Sequence, residues 1–142
     1  MTVAEVMTRQ LITVGMDEPL VSIVECFEQN HCHHVLVLER ERLVGVISDR
    51  DVLRHVSPFV GTLAELSRDE ATLNLPAHCV MTRKPLTVAP EDDLDDAAQK
   101  LLGAGISCLP VVRDGARLVG IVSWRDLLRA LAEARDRLPA GL

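Results

Sequence analysis

The sequence is short of aromatic residues and of positive charge. It has no tyrosine, two phenylalanines and one tryptophan, so it lacks the aromatic platforms on which proteins stack unpaired bases. Acidic residues outnumber basic ones by 21 to 15, for a net charge of -6. Nucleic-acid surfaces need clustered lysine and arginine. We therefore expect no nucleic-acid partner.

Disulfide frameworks and long apolar runs are also missing. The four cysteines form no C-x-x-C pair and no pattern typical of secreted proteins, which predicts reduced thiols. No apolar run approaches the ~20 residues of a membrane-spanning helix. Residues 1–5 have neither the basic start nor the apolar core of a signal peptide. The sequence thus predicts a globular, cytoplasmic protein without a membrane partner.

What the sequence does contain is a long internal repeat. Val-Met-Thr-Arg occurs at residues 6–9 and again at 80–83, and a Leu-Val-Gly segment followed by Ser-x-x-Asp occurs at 43–53 and 118–128. The spacing grows by one residue between these motifs, most simply in the loop that joins two strands, because exposed loops tolerate changes of length. Two copies of more than ~50 residues do not fit a solenoid. They predict two similar halves packed about a pseudo-twofold axis.

Each copy predicts the order β-α-β-β-α, and hence an α+β fold. Apolar residues at helical spacing follow Asp17 and Pro19 in the first copy and an acidic run in the second, which favours a capped helix in each. Two apolar strands joined by a polar turn come next, at residues 35–38 and 43–47 and at 109–112 and 118–122. A second helix starts at Ser48 or Ser123, and the last helix ends before Pro139. A short strand precedes the first helix of each copy, at residues 12–14 and 86–88.

The copies correspond to residues 1–56 and 80–138, and residues 57–79 match neither copy. This middle stretch contains breakers at Pro58, Gly61 and Pro76, with a short helix predicted at residues 62–66. It carries too many apolar residues for a flexible linker. We therefore expect an ordered connector.

The sharpest local signal is Ser-x-x-Asp at the start of the second helix, Ser48 with Asp51 and Ser123 with Asp126. One interpretation is structural, because this spacing resembles a capping box. The other is functional: free amides and the serine hydroxyl attract a phosphate, while the aspartate accepts both hydroxyls of a ribose. Gly45 would let the backbone approach a ligand closely, as would its repeat equivalent. The motif alone leaves both interpretations open.

As an ordered and doubled set, these motifs resemble a tandem pair of CBS domains, the cystathionine β-synthase type module that is also called a Bateman module. The resemblance covers almost the whole chain and includes Ser-Cys-Leu-Pro-Val-Val at residues 107–112. Members of this family bind adenine nucleotides or S-adenosylmethionine in two clefts between the repeats. They usually regulate a partner rather than catalyse a reaction. The resemblance implies a non-catalytic sensor of an adenosine-containing ligand that signals to an unknown effector protein.

The resemblance also implies that each cleft takes residues from both repeats. The serine and aspartate of one repeat would hold phosphate and ribose, and segments of the other repeat would surround the adenine. The first cleft comprises Ser48, Arg50, Asp51, Thr82, Arg83, Leu86, Ile106, Ser107, Cys108 and Pro110. The second cleft comprises Ser123, Arg125, Asp126, Thr8, Arg9, Ile12, His33, His34 and Val35. Histidines make the adenine side of the second cleft bulkier, so we expect it to be impaired.

The charged residues of the first cleft favour a ligand that carries phosphate. Arg50, Arg83 and Lys84 supply the local positive charge that an anionic ligand needs on an acidic protein. AMP, ADP or ATP is therefore expected to bind more tightly than S-adenosylmethionine, in which a sulfonium replaces the phosphates.

Two other functions stay open at this point. The chain could be a protein-interaction module with degenerate clefts, or a thiol or metal sensor that uses His31, Cys32, His33 and His34. Zinc needs about four converging ligands, whereas side chains of an extended segment alternate in direction. No metal site is therefore predicted.

The resemblance further implies a homodimer. Pairs of this family commonly associate through their helices, and the amphipathic helices predicted here leave apolar surface that one pair does not cover.

Overall fold

The computed structural model describes residues 1–137, and the chain divides into two compact units. The first is Ile12–Pro85, which we call the Asp51 unit. The second joins Met1–Leu11 to the chain from Leu86 onward, and we call it the Asp126 unit. The repeat boundaries predicted above, at residues 1–56, 57–79 and 80–138, stay a prediction, and position 138 lies outside the described residues.

The Asp51 unit contains a sheet of four strands. These are β1 (Thr13–Gly15), β2 (His34–Glu39), β3 (Arg42–Ser48) and β4 (Thr82–Arg83). β1 pairs with β2 in parallel, and β3 pairs antiparallel with both β2 and β4. The helices are α2 (Leu20–Asn30), α3 (Asp49–His55), α4 (Ser67–Glu70) and α5 (Ala77–Val80), with a 3-10 turn at Ala71–Asn74. The core includes Leu20, Ile23, Val35, Val37 and Ile47, which explains why β2 is apolar at successive positions.

The Asp126 unit is built around one hairpin. β5 (Cys108–Arg113) pairs antiparallel with β6 (Arg117–Ser123). Val88 adds a parallel bridge to β5, and Thr8 adds an antiparallel bridge to β6. The helices are α1 (Val3–Val6), α6 (Leu94–Ala104) and α7 (Trp124–Asp136). The core includes Val3, Leu101, Leu109, Val111 and Val122.

Each Val-Met-Thr-Arg segment pairs with the hairpin of the other repeat. Thr82 pairs with Val46 and Thr8 with Ile121, in each case two residues before the serine of Ser-x-x-Asp. This exchange places the first segment of each repeat beside the other repeat's second helix.

Glycine makes room for methionine in both of these pairings. A Cβ on Gly45 would lie 2.8 Å from Cγ of Met81, and one on Gly120 would lie 2.6 Å from Sδ of Met7. Such distances are far inside van der Waals contact. Methionine thus fills the space that a side chain at either position would need, and a close approach of the backbone to a ligand stays a prediction.

The two hairpins explain the extra residue of the second repeat. The loop between β2 and β3 has two residues, 40–41, whereas that between β5 and β6 has three, 114–116. Arg40 and Glu41 have positive φ angles of 50° and 66°, and Asp114 and Gly115 have 52° and 81°. The predicted hairpins and the predicted site of the extra residue are confirmed.

Some predicted elements differ from the structure. The first long helix begins after Pro19, and Asp17 is not its cap. The helix predicted at residues 62–66 is wrong: α4 begins at Ser67, because the Asp69 carboxylate accepts the Leu66 N–H at 2.8 Å and the Ser57 hydroxyl at 2.8 Å. These bonds lower the pKa of Asp69.

Two further differences concern the second repeat. Residues 86–88 form a single bridge at Val88 rather than a strand. Pro139, the predicted end of the last helix, lies outside the described residues. Within residues 1–137, no helix is both long and apolar enough to cross a membrane.

Candidate ligand-binding site

The first Ser-x-x-Asp motif forms the predicted capping box. Ser48 ends β3 in an extended conformation, and its Oγ accepts the Asp51 N–H at 3.1 Å. Asp51 Oδ2 accepts the Ser48 N–H at 2.8 Å. Among the described residues, Oδ1 of Asp51 receives only a distant ion pair, from Arg54 Nη1 at 3.9 Å. The box thus leaves one carboxylate oxygen and the Ser48 hydroxyl proton for a ligand.

The second motif is also a capping box, at the start of α7, but its carboxylate receives more hydrogen bonds than that of Asp51. Asp126 Oδ2 accepts the Ser123 N–H at 2.9 Å and the Ser123 hydroxyl at 3.2 Å. Oδ1 accepts the Thr8 hydroxyl at 3.1 Å and Arg129 Nη1 at 3.4 Å. Both hydroxyls therefore donate a hydrogen bond to the Asp126 side chain. The side chain of Asp126 is 3% exposed, against 16% for Asp51.

The last two residues of each Val-Met-Thr-Arg segment, a threonine and an arginine, are exposed. Arg83 Nη2 donates to the His78 carbonyl at 3.2 Å, and Arg9 Nη2 donates to the Ala4 carbonyl at 3.4 Å. Each guanidinium therefore returns to the short helix before it. Among the described residues, Thr82 has no hydrogen bond to Asp51 that would match the bond between Thr8 and Asp126. Arg50 and Arg125 are exposed in the first turns of α3 and α7.

The segment that begins β5 lies beside the second motif. Cys108 pairs with Ser123, and Trp124 donates its backbone N–H to the Ser107 carbonyl and its indole N–H to the Ile106 carbonyl, both at 3.2 Å. Burial raises the pKa of the Cys108 thiol to about 12, so the thiol stays protonated and packs as an apolar group. Pro110 is buried in the same strand, and Leu86 is exposed.

The segment that begins β2 lies beside the first motif. His34 pairs with Ser48, and the His33 carbonyl accepts the Asp49 N–H at 2.9 Å. His33 Nδ1 lies 2.9 Å from Asp49 Oδ2, and this hydrogen bond lowers the pKa of Asp49. Burial lowers the pKa of His34. Ile12 accepts a backbone bond from β2, and Val35 is fully buried.

The structure brings together one part of each predicted cleft. Ser48 and Thr82 share the Asp51 unit, and Ser123 and Thr8 share the Asp126 unit. The adenine-side segments predicted for these clefts belong to the opposite units. Their part in the clefts stays a prediction.

Several residues that shape these motifs were not singled out from the sequence. The guanidinium of Arg129 reaches Asp126 from one turn further along α7. The residue of the first repeat that corresponds to Trp124 is Asp49. Comparison of the two repeats therefore could not predict the hydrogen bond that the Trp124 indole donates to the Ile106 carbonyl. The methionines recur in both copies, and that recurrence was the available signal for their contact with glycine.

The His-Cys-His-His segment does not gather ligands for a metal. Within residues 1–137, no three His, Cys, Asp or Glu side chains converge in a way that could hold an ion. All four cysteines are free thiols, of which Cys79 is exposed.

Comparison with known proteins agrees with the repeated fold. The CBS domain family matches residues 3–58 and 77–133. An uncharacterized protein of Methanocaldococcus jannaschii is 29% identical, over 92% of this chain and 91% of its own length. A CBS domain-containing protein of Dictyostelium discoideum is 27% identical, over 96% and 95%. The solved structure of CBSX2 in complex with AMP has a TM-score of 0.80 at 27% identity, and the match covers 94% of this chain and 98% of that one.

The family match covers most of the chain, and it does so in two copies that coincide with the internal repeat. CBS-pair proteins are generally regulatory rather than catalytic, and the similar structure of CBSX2 is a complex with AMP. This chain belongs to the CBS domain family, as a tandem pair.

Proposed function

We propose that this chain is a cytoplasmic regulatory module that binds an adenine nucleotide and signals to a partner protein, with no catalytic activity of its own. The observation that carries the proposal is the chemistry of the Asp51 motif. It combines a carboxylate oxygen and a hydroxyl proton that the capping box does not use. The AMP complex of CBSX2 supports this ligand class.

The two groups suit different parts of a nucleotide. Asp51 Oδ1 accepts hydrogen bonds from ribose hydroxyls, and a charged acceptor makes these bonds stronger than neutral ones. The Ser48 hydroxyl donates to a phosphate oxygen. The motif can therefore serve as cap and ligand contact at once, because the two roles use different atoms.

Local charge favours AMP, ADP or ATP over S-adenosylmethionine. Arg50 follows Ser48 on α3, and Arg83 lies on β4, which pairs with β3 at Gly45. Both side chains are exposed cations on an acidic protein, so they attract a ligand that carries negative charge. S-adenosylmethionine has no phosphate to meet them.

Signalling requires a surface that contacts another molecule, and we propose that this molecule is another copy of the chain. Trp124, Leu128 and Leu131 are exposed on α7 at spacings of four and three residues, so they lie on one face of that helix. Leu53 is exposed on α3. A dimer mass by light scattering at micromolar concentration is the expected result, and a monomer with and without nucleotide would remove this part of the proposal.

Thermal unfolding with a panel of ligands tests the proposed function. A nucleotide at a hundred times its Kd adds about 2.7 kcal/mol to the stability of the folded state, which corresponds to several degrees in Tm for a domain of this size. We expect AMP, ADP or ATP to give the largest shift, followed by S-adenosylmethionine and then adenosine. Asp51→Asn, which keeps the size of the side chain, should remove most of the nucleotide shift.

Other outcomes separate the alternatives. No shift with any adenosine compound would favour an interaction module with degenerate clefts. A shift with zinc alone would favour a metal sensor at His31, Cys32, His33 and His34. A larger shift with S-adenosylmethionine than with every nucleotide would contradict the role given to the arginines.

A further inference from the structure

We propose that Asp126 is a latch that holds the N-terminal segment on the Asp126 unit, and that Thr8 and Arg129 thereby keep the second motif from accepting a ribose. The latch itself is a property of the ligand-free chain. Its effect on ligand selection rests on the proposed function.

The Asp126 carboxylate is saturated by the protein. A carboxylate has about four lone-pair positions. Asp126 receives four donors: the amide and hydroxyl of Ser123, the hydroxyl of Thr8 and the guanidinium of Arg129. A ribose hydroxyl has to displace one of them before it can bind. Asp51 receives one close donor from its own box.

Thr8 connects this carboxylate to the N-terminal segment. The Thr8 N–H donates to the Ile121 carbonyl at 2.8 Å, and the Thr8 carbonyl accepts the Ile121 N–H at 2.9 Å. One residue earlier, Met7 packs against Gly120. The hydroxyl bond to Asp126 therefore adds a side-chain link at the point where the segment joins β6. Loss of that link loosens a segment whose other end is held by backbone bonds from Val3 and Ala4.

Arg129 completes the latch from one turn further along α7. Its guanidinium lies 3.4 Å from the oxygen that also accepts Thr8. Arg54 has the equivalent position in the first motif, but its guanidinium lies 3.9 Å from Asp51. The difference between the motifs thus arises from neighbours and not from the repeated Ser-x-x-Asp residues.

A double-mutant cycle in the ligand-free protein tests the latch. Thr8→Val keeps the shape of the side chain and removes the hydroxyl, and Asp126→Ala removes the oxygen that accepts this hydroxyl. Each change should speed hydrogen exchange at the amides of residues 3–8 by roughly fivefold, as the loss of one hydrogen bond implies. The double variant should show little further change. Thr82→Val and Asp51→Ala are the matched controls from the Asp51 unit. Their effects on the rate of hydrogen exchange should be additive.

Additive effects of Thr8→Val and Asp126→Ala on this exchange would overturn the latch. If Asp126→Ala does not fold, Arg129→Gln takes its place, and Thr8→Val should still couple to it. Exchange at residues 3–8 that is unaffected by Thr8→Val would also overturn the proposal.

Titration of the Thr8→Val/Arg129→Gln variant with AMP tests ligand selection. The wild type should bind one AMP per chain, and the variant should gain a second, weaker site. Two equal sites in the wild type, or no second site in the variant, would overturn the selective role of Thr8 and Arg129. Absence of any AMP binding would contradict the proposed function and the selective role together, whereas the hydrogen-exchange result for the latch would stand.

Discussion

The two units carry the same motif in different chemical states. Both serines cap a helix, but among the described residues only the Ser123 hydroxyl also donates a hydrogen bond to its aspartate. Thr8 reaches the second carboxylate, and Thr82 makes no matching bond to the first among the described residues. A duplicated sequence motif therefore does not imply a duplicated site, because the atoms left for a ligand depend on the neighbours.

The strand next to each motif differs as well. The position that pairs with the serine is His34 in one unit and Cys108 in the other. Burial lowers the pKa of the imidazole and raises that of the thiol to about 12. Both shifts favour the neutral form of the group at neutral pH.

The glycine–methionine contact, which occurs once within each unit, should give the largest effect on stability. Gly45→Val and Gly120→Val place a Cβ where methionine now lies, and such overpacking costs typically ~1–3 kcal/mol. Gly120→Val should cost more, because its Cβ also meets the Thr8 carbonyl at 3.2 Å. Denaturant unfolding measures both losses.

Gly103→Ala is the control for these changes. A Cβ at Gly103 would meet nothing within 4 Å, and alanine favours the interior of α6, so stability should hold or rise. If Gly45→Val were as stable as Gly103→Ala, the importance of the glycine–methionine contact would be contradicted.

The hairpin loops should give an intermediate effect, with opposite signs in the two units. Glu41 has a positive φ, which costs a non-glycine residue roughly 1–2 kcal/mol. Glu41→Gly should therefore raise the free energy of unfolding by about 1 kcal/mol. Gly115→Ala should lower it by a similar amount, since Gly115 also has a positive φ. Changes of the same sign at both positions would contradict this account of the turns.

The smallest expected effect is the pH dependence that arises from His34 in the Asp51 unit. Burial holds the pKa of His34 below its ordinary value of 6.5, so the unfolded chain takes up the proton first as the pH falls. The contribution of neutral His34 to the free energy of unfolding is fully present above pH 6.5. It is lost as the pH drops towards the pKa that His34 has in the folded protein. Asp49 and Asp51 oppose the shift, and His33 adds to it.

His34→Gln should flatten the fall in stability between about pH 7 and about pH 5. Cys108→Ala is the control from the other unit and should leave the slope unchanged, because that thiol does not titrate in this range. An unchanged slope in His34→Gln would show that other groups carry the pH dependence.

The fold could be predicted because the sequence signals for its helices, strands and turns are local and occur in both repeats. Continuous apolar strands, the Asp114 and Gly115 turn and the serine caps each specify an element without reference to distant residues. Prediction was poorer in the connector, where the hydrogen bonds of Asp69 to Ser57 and Leu66 decide where α4 begins. A pattern of apolar residues does not contain that information.

The difference between the two motifs was beyond sequence analysis for a related reason. The motif residues Ser48 and Ser123 are identical in type, and so are Thr8 and Thr82. Whether the hydroxyl of such a serine also donates to its aspartate depends on a geometry of tenths of an ångström. The expectation of unequal clefts was based on the bulk of His33 and His34, whereas the structure adds a second cause at Asp126.

Calorimetric titration of AMP into wild type, Asp51→Asn and Asp126→Asn tests the central claim most directly. We expect Asp51→Asn to weaken binding by roughly tenfold to a hundredfold, as the loss of a charged hydrogen-bond acceptor implies. Asp126→Asn should leave the affinity within about twofold of wild type while it lowers Tm, since its carboxylate bonds to the protein. Equal losses of affinity in the two variants, or a larger loss in Asp126→Asn, would contradict the division of ligand contact and latch between the two motifs.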